Sequence, residues 1–117
     1  MLQANNSVEL LTKLQSEDLY VQLIQQLNKD LHLSNINFEF QETLTSLELK
    51  SLLIEFLMNL ITNNYDDYLN LLYRVDVSER SLIKLASERL RDSIEQVAFL
   101  VLKREAQKVW LKQNFGK

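Results

Sequence analysis

The sequence predicts an all-α fold, a compact bundle of five to six helices, on three observations. Leucine supplies 25 of the 117 residues, against 13 for valine and isoleucine together; leucine favours helix, and β-branched residues favour strand. Glycine occurs once and proline never, so the turn residues of a hairpin-rich protein are missing. Apolar residues also recur at helical spacing along most of the chain. With 46% hydrophobic and 25% charged residues, the chain reads as one folded domain over 1–117 and not as a disordered segment.

The elements follow in order. The first substantial helix is expected from Ser16, with Glu17 and Asp18 in its first turn and Leu19, Leu23, Ile24, Leu27 and Leu31 on its inner stripe. A short helical turn over 7–14 precedes it. Ile36-Asn37-Phe38-Glu39-Phe40 then alternates like an extended segment, and Tyr73-Arg74-Val75-Asp76-Val77 alternates in the same way. The two are the candidates for one short two-stranded β pairing, marginal unless a helix lies beneath it.

Thr45-Ser46-Leu47-Glu48 has capping-box spacing. Behind it Leu49, Leu52, Leu53, Phe56, Leu57, Leu60 and Ile61 form a stripe that Ile54 and Met58 widen, which makes this the expected central helix. Ser51, Glu55, Asn59 and Asn63 remain as a narrow polar strip. A short helix over 65–74, opened by Asn64, should carry Leu69, Leu72 and Tyr73 inward.

Ser78 is a good N-cap, with Val77 and Leu82 placed as a hydrophobic staple ahead of Ile83, Leu85, Ala86 and Leu90. Asp92-Ser93-Ile94-Glu95 repeats the capping-box spacing, so either a new helix starts there or one long helix runs through. The last helix is expected over about 93–114, with Gly116 as its C-cap glycine.

Charge is unevenly spread. Residues 1–77 hold 11 acidic and 4 basic side chains, and 78–117 hold 5 and 9, giving −7 and +4 within a net −3. The halves are suited to attract each other. The chain as a whole is a poor polyanion binder.

Several chemistries are excluded within one chain. No cysteine means no disulfide and no thiolate zinc site; a single histidine, His32, rules out a multi-histidine site. One glycine, at position 116, leaves no glycine-rich phosphate loop. Asp66 and Asp67, adjacent on a helix, point about 100° apart and suit a helix N-terminus better than a cation. Glu55 becomes a site candidate only if buried, when it must be paired or protonated. No cofactor and no metal are expected. No apolar run approaches the roughly 20 residues of a membrane span, and the N-terminus lacks a secretory pattern, so a cytoplasmic protein is expected.

Two surfaces remain, both on the last helix. Val97 to Leu102 is apolar around the whole helix, and Phe99, Leu102, Ala106 and Val109, with Trp110, are the expected interface of a homodimer. Arg104, Lys108 and Lys112, spaced by four with Lys103 beside them, form a basic face interrupted by Glu105. Leu71-Leu72-Tyr73-Arg74-Val75-Asp76-Val77-Ser78-Glu79 and Lys103-Arg104-Glu105-Ala106-Gln107-Lys108 together resemble short all-α bacterial proteins. That resemblance implies no activity, cofactor or partner. The resulting expectation is a non-enzymatic interaction or self-association module with an unidentified protein partner. The alternative is a nucleic-acid-associated protein that uses the basic helix.

Overall fold

Caps and left-handed turns divide the chain into helices. The structure, a computed structural model, describes residues 3–85 and 90–115. Among them lie six helices: α1 (Ser7–Ser16), α2 (Tyr20–Leu33), α3 (Ser46–Asn63), α4 (Tyr65–Val75), α5 (Glu79–Leu85) and α6 (Leu90–Phe115). Non-glycine residues at Asp18, Asn35 and Asp76 have φ of 57°, 60° and 72°, a conformation that the short polar side chains of Asp and Asn tolerate. Each follows a helix and stops it.

The first of these turns moves a boundary. Ser16 ends α1 instead of starting a helix: its hydroxyl donates to the Lys13 carbonyl at 2.8 Å. Asp18 then reverses the chain, and α2 begins at Tyr20 with no side-chain cap. At α3 the local signal is sufficient. Thr45 Oγ1 accepts from Glu48 N–H at 3.2 Å, and Glu48 Oε1 accepts from Thr45 N–H at 2.8 Å.

The β pairing does not form; no strand occurs among the described residues. Tyr73 to Val75 belong to α4, and the left-handed Asp76 closes that helix by returning Val77 N–H to Leu72 O at 3.1 Å. The other expected strand is an extended strap. Ile36 and Phe40 are buried, Phe38 is half-buried, and Asn37 and Glu39 face out, so the alternation does give the correct sides. Ile36 N–H returns to Leu31 O at 3.0 Å, and at Phe40 a single side chain takes the place of a partner strand. Asn28 Oδ1 accepts from Phe40 N–H at 2.8 Å while Asn28 Nδ2 donates to Phe40 O at 2.9 Å. Phe38 stacks on Phe56 of α3 with ring centroids 4.6 Å apart, and Phe40 meets both rings edge-on.

The centre of the bundle is α6, not α3. α6 packs against each of the other five helices. α3 buries Leu49, Leu53, Leu57 and Leu60, whereas Leu52, Ile54, Phe56, Met58 and Ile61 are only partly covered. α6 starts at Leu90 and passes straight through Asp92 to Glu95, so no helix opens there. Ile83 is exposed on the short α5, contrary to its expected inward position. The expectations for Ala86 and Gly116 lie outside the described residues. Among the described residues, no helix is long and apolar enough to cross a membrane.

The Asn28 clamp generates a prediction. Asn28→Ala removes both hydrogen bonds that hold the half-buried Phe40 backbone and should destabilise the fold by about 2–3 kcal/mol. Urea melts should show this loss, and the Phe40 amide should exchange faster with solvent. A loss below about 0.5 kcal/mol contradicts the clamp.

Candidate functional site

The expected interface residues lie on α6, and the chain itself covers most of them. Leu102, Ala106 and Val109 are buried in the core, with Phe99 and Trp110 packed half-buried against it. Val97, Ala98, Val101 and Leu102 are buried within the chain, so Leu102 presents nothing to a second copy, while Phe99 and Leu100 are only partly covered.

Three of the four cations of the basic face are engaged within the chain, although Lys103 and Lys112 are exposed. Arg104 Nη2 lies 3.1 Å from Asp76 Oδ2, and its Nη1 donates to Gln107 Oε1 at 2.6 Å. Lys108 Nζ reaches Asp30 Oδ2 at 2.8 Å and the Arg74 carbonyl at 3.3 Å, at the negative end of the α4 dipole. Lys112 Nζ donates to Gln26 Oε1 at 3.0 Å. Lys103 is exposed and lies over the Phe99 ring, 5.9 Å from its centroid. Cations from the basic half thus tie α6 to α2 and to the end of α4.

At the middle of these ties is a buried carboxyl pair. Glu105 is 0% exposed and Asp30 of α2 is 3% exposed. Lys108 Nζ stands 3.3 Å from Glu105 Oε1, but neither Glu105 oxygen meets an aligned hydrogen-bond donor among the described residues. A proton resolves this. Burial pushes the Glu105 carboxyl from the ordinary 4.5 up to about 9; its hydrogen bond with Asp30 and the Asp30 charge add to that rise, and Lys108 opposes it. Carrying a proton, Glu105 has a donor to offer Asp30, whose Oδ2 already accepts from Lys108 at 2.8 Å. Gln26 Nε2 stands 3.4 Å from both Asp30 oxygens.

Neither carboxyl was singled out as a candidate in the sequence, although a signal existed. Asp30 falls at apolar spacing beside Leu27 and Leu31, and Glu105 at the same spacing between Val101 and Val109. The carboxylate that was singled out, Glu55, is exposed on the polar strip of α3. His32 is exposed in the last turn of α2. Asp67 accepts from Asn64 Nδ2 at 2.7 Å at the start of α4.

A second feature lies on α4. Its buried row is Tyr68, Leu71, Leu72 and Val75. Leu69 and Tyr73, expected inward, instead belong with Tyr65 to a second row at four-residue spacing that points to solvent. Tyr65 is 54% exposed, Leu69 45% and Tyr73 85%. Asp66, Asn70 and Arg74 run alongside, and all three are exposed. Asp66 and Arg74 make no ion pair among the described residues.

An open groove of about 860 Å³ beside α6 is floored by Leu10, Leu100 and Trp110 and edged by Ser78, Lys103 and Arg104. With Arg104 held by Asp76 and Gln107, part of its cationic edge is already engaged within the chain. Among the described residues, no group of three histidine, aspartate or glutamate side chains is placed to hold a metal ion. Compared with family models, curated proteins and solved structures, the chain matches none.

The carboxyl pair makes stability depend on pH with a defined sign. Native Glu105 keeps a proton that the unfolded chain releases above about 4.5, so the native state binds more protons between 4.5 and about 9. The contribution is fully present below 4.5 and is lost as pH rises through 9, with a slope of up to about 1.4 kcal/mol per pH unit. Glu105→Gln keeps the shape and a donor for Asp30 but cannot ionise. Urea melts across this range should show a flatter pH profile for the variant and higher stability than wild type at pH 8. Parallel profiles would contradict the assignment.

Proposed function

We propose that the chain is a non-enzymatic helical interaction module that works by presenting the outer face of α4 to another protein. The observation that carries this reading is the row Tyr65, Leu69 and Tyr73. These are three large apolar side chains on successive turns of one helix, left in solvent while the opposite face of that helix is buried. Leaving such a row open forgoes roughly 1.5–3 kcal/mol for each side chain that a partner would cover. Tyrosines are well suited to contact surfaces, since a rigid ring buries area with few rotors to immobilise.

Two further observations favour a contact surface over chemistry on a small molecule or on nucleic acid. The carboxyl with the most perturbed protonation, Glu105, is enclosed by the chain itself, where no substrate reaches it. Arg104, Lys108 and Lys112 are engaged with Asp76, Asp30 and Gln26, so a phosphate backbone would have to displace contacts that hold the bundle together.

A photo-crosslinking residue tests the reading in the native host. Placed at Tyr73, it should yield discrete protein adducts; placed at Thr12, exposed on α1, it should yield few. Equal adducts from both positions, or none from position 73, would contradict an α4 contact surface.

A further inference from the structure

The α4 face has a symmetry of its own. The exposed row is centred on Leu69, with Tyr65 and Tyr73 one turn to either side. Beside it, on the same flank, Asp66 lies one turn before Asn70 and Arg74 one turn after. A helix of 11 residues is about 16 Å long, so this pattern fills its whole length.

We propose that the partner seated on α4 is a second copy of this chain, its α4 laid antiparallel on the first about a two-fold axis that passes by Leu69. This rests on the reading of α4 as a contact surface and adds the identity of the partner.

In that arrangement Leu69 meets its own copy, and each Tyr65 meets the opposing Tyr73. A two-fold axis across an antiparallel helix pair keeps like flanks together, so the Asp66 end of one helix faces the Arg74 end of the other, twice. Both charges are exposed and make no ion pair among the described residues, so they are available for this one. Laid antiparallel, the two helix dipoles also run in opposite directions, the favourable side-by-side arrangement. A parallel two-fold pairing would put the two charged flanks on opposite sides of the seam, where neither Asp66 nor Arg74 meets the other. The contact is isologous, closes at two subunits and leaves no sticky end.

Its size sets its strength. Three half-exposed or exposed side chains present roughly 400 Å² per protomer, below the usual range of stable specific interfaces, so the dimer should be weak and form above about 10 µM. Sedimentation equilibrium from about 1 to 500 µM reads it directly. Leu69→Lys sets two ammonium groups against each other at the axis and should abolish the dimer, with the helical signal and melting transition retained because the position is already exposed. Asp66→Lys and Arg74→Glu should each weaken dimerisation by roughly tenfold, and the double variant should recover to within about threefold of wild type.

A monomer throughout that range overturns the proposal. So does a dimer that Leu69→Lys leaves intact, or a double variant weaker than either single one. A monomer that still gives position-specific adducts with a different protein from position 73 removes the second copy while the contact surface stands. A monomer with no adducts removes both.

Discussion

Glu105 and Asp30 face each other across the contact between α6 and α2, both shielded from water, with Lys108 beside them. Such a group of charges restricts how the two helices can sit. Sliding α2 by one turn along α6 would put each carboxyl against leucine or valine with no donor, an arrangement that costs several kcal/mol per buried charge. Lys108 extends the restriction to α4 through the Arg74 carbonyl, and Lys112 extends it along α2 through Gln26. One polar seam thereby relates three helices that apolar packing alone would leave free to shift.

The rest of the architecture follows from α6 burying residues from Ser93 to Val109 along its length. All five other helices pack along α6, which buries Val97, Ala98, Val101 and Leu102 and leaves Phe99 and Leu100 partly covered. In a chain of 117 residues this engages every other helix. α4 is covered on one side only. It turns Tyr68, Leu71, Leu72 and Val75 to the bundle, and its second row, Tyr65, Leu69 and Tyr73, stays exposed. The surface assigned to interaction is thus the remainder of a packing problem solved around α6.

Local chemistry was legible in the sequence. The Thr45–Glu48 box is contained within four residues, so it reads correctly without knowledge of the fold. The alternation of Ile36, Phe38 and Phe40 gave the right sides but not the pairing. Alternation reports which side of a backbone is apolar, and the partner proved to be the Asn28 side chain, 12 residues before Phe40. α4 carries two apolar rows of comparable strength, and only the position of its neighbours selects between them; Leu69 and Tyr73 were therefore misplaced. The central role passed from α3 to α6 for the same reason. Hydropathy at α3 was uniform enough to suggest burial all round, yet its outer leucines and Phe56 meet only the strap and partial cover. Glu105 interrupted a basic run and was read by its charge, when its spacing from Val101 and Val109 placed it in the core.

The most direct measurement is a carbon-detected NMR titration of the glutamate side-chain carboxyls, assigned at Glu105 by comparison with Glu105→Gln. If the carboxyl is enclosed and shares its proton with Asp30, its δ-carbon should stay in the acid form through neutral pH and titrate near 9. A δ-carbon that titrates near 4.5 in the folded protein, as an exposed glutamate does, would contradict the buried seam on which this account of the fold depends.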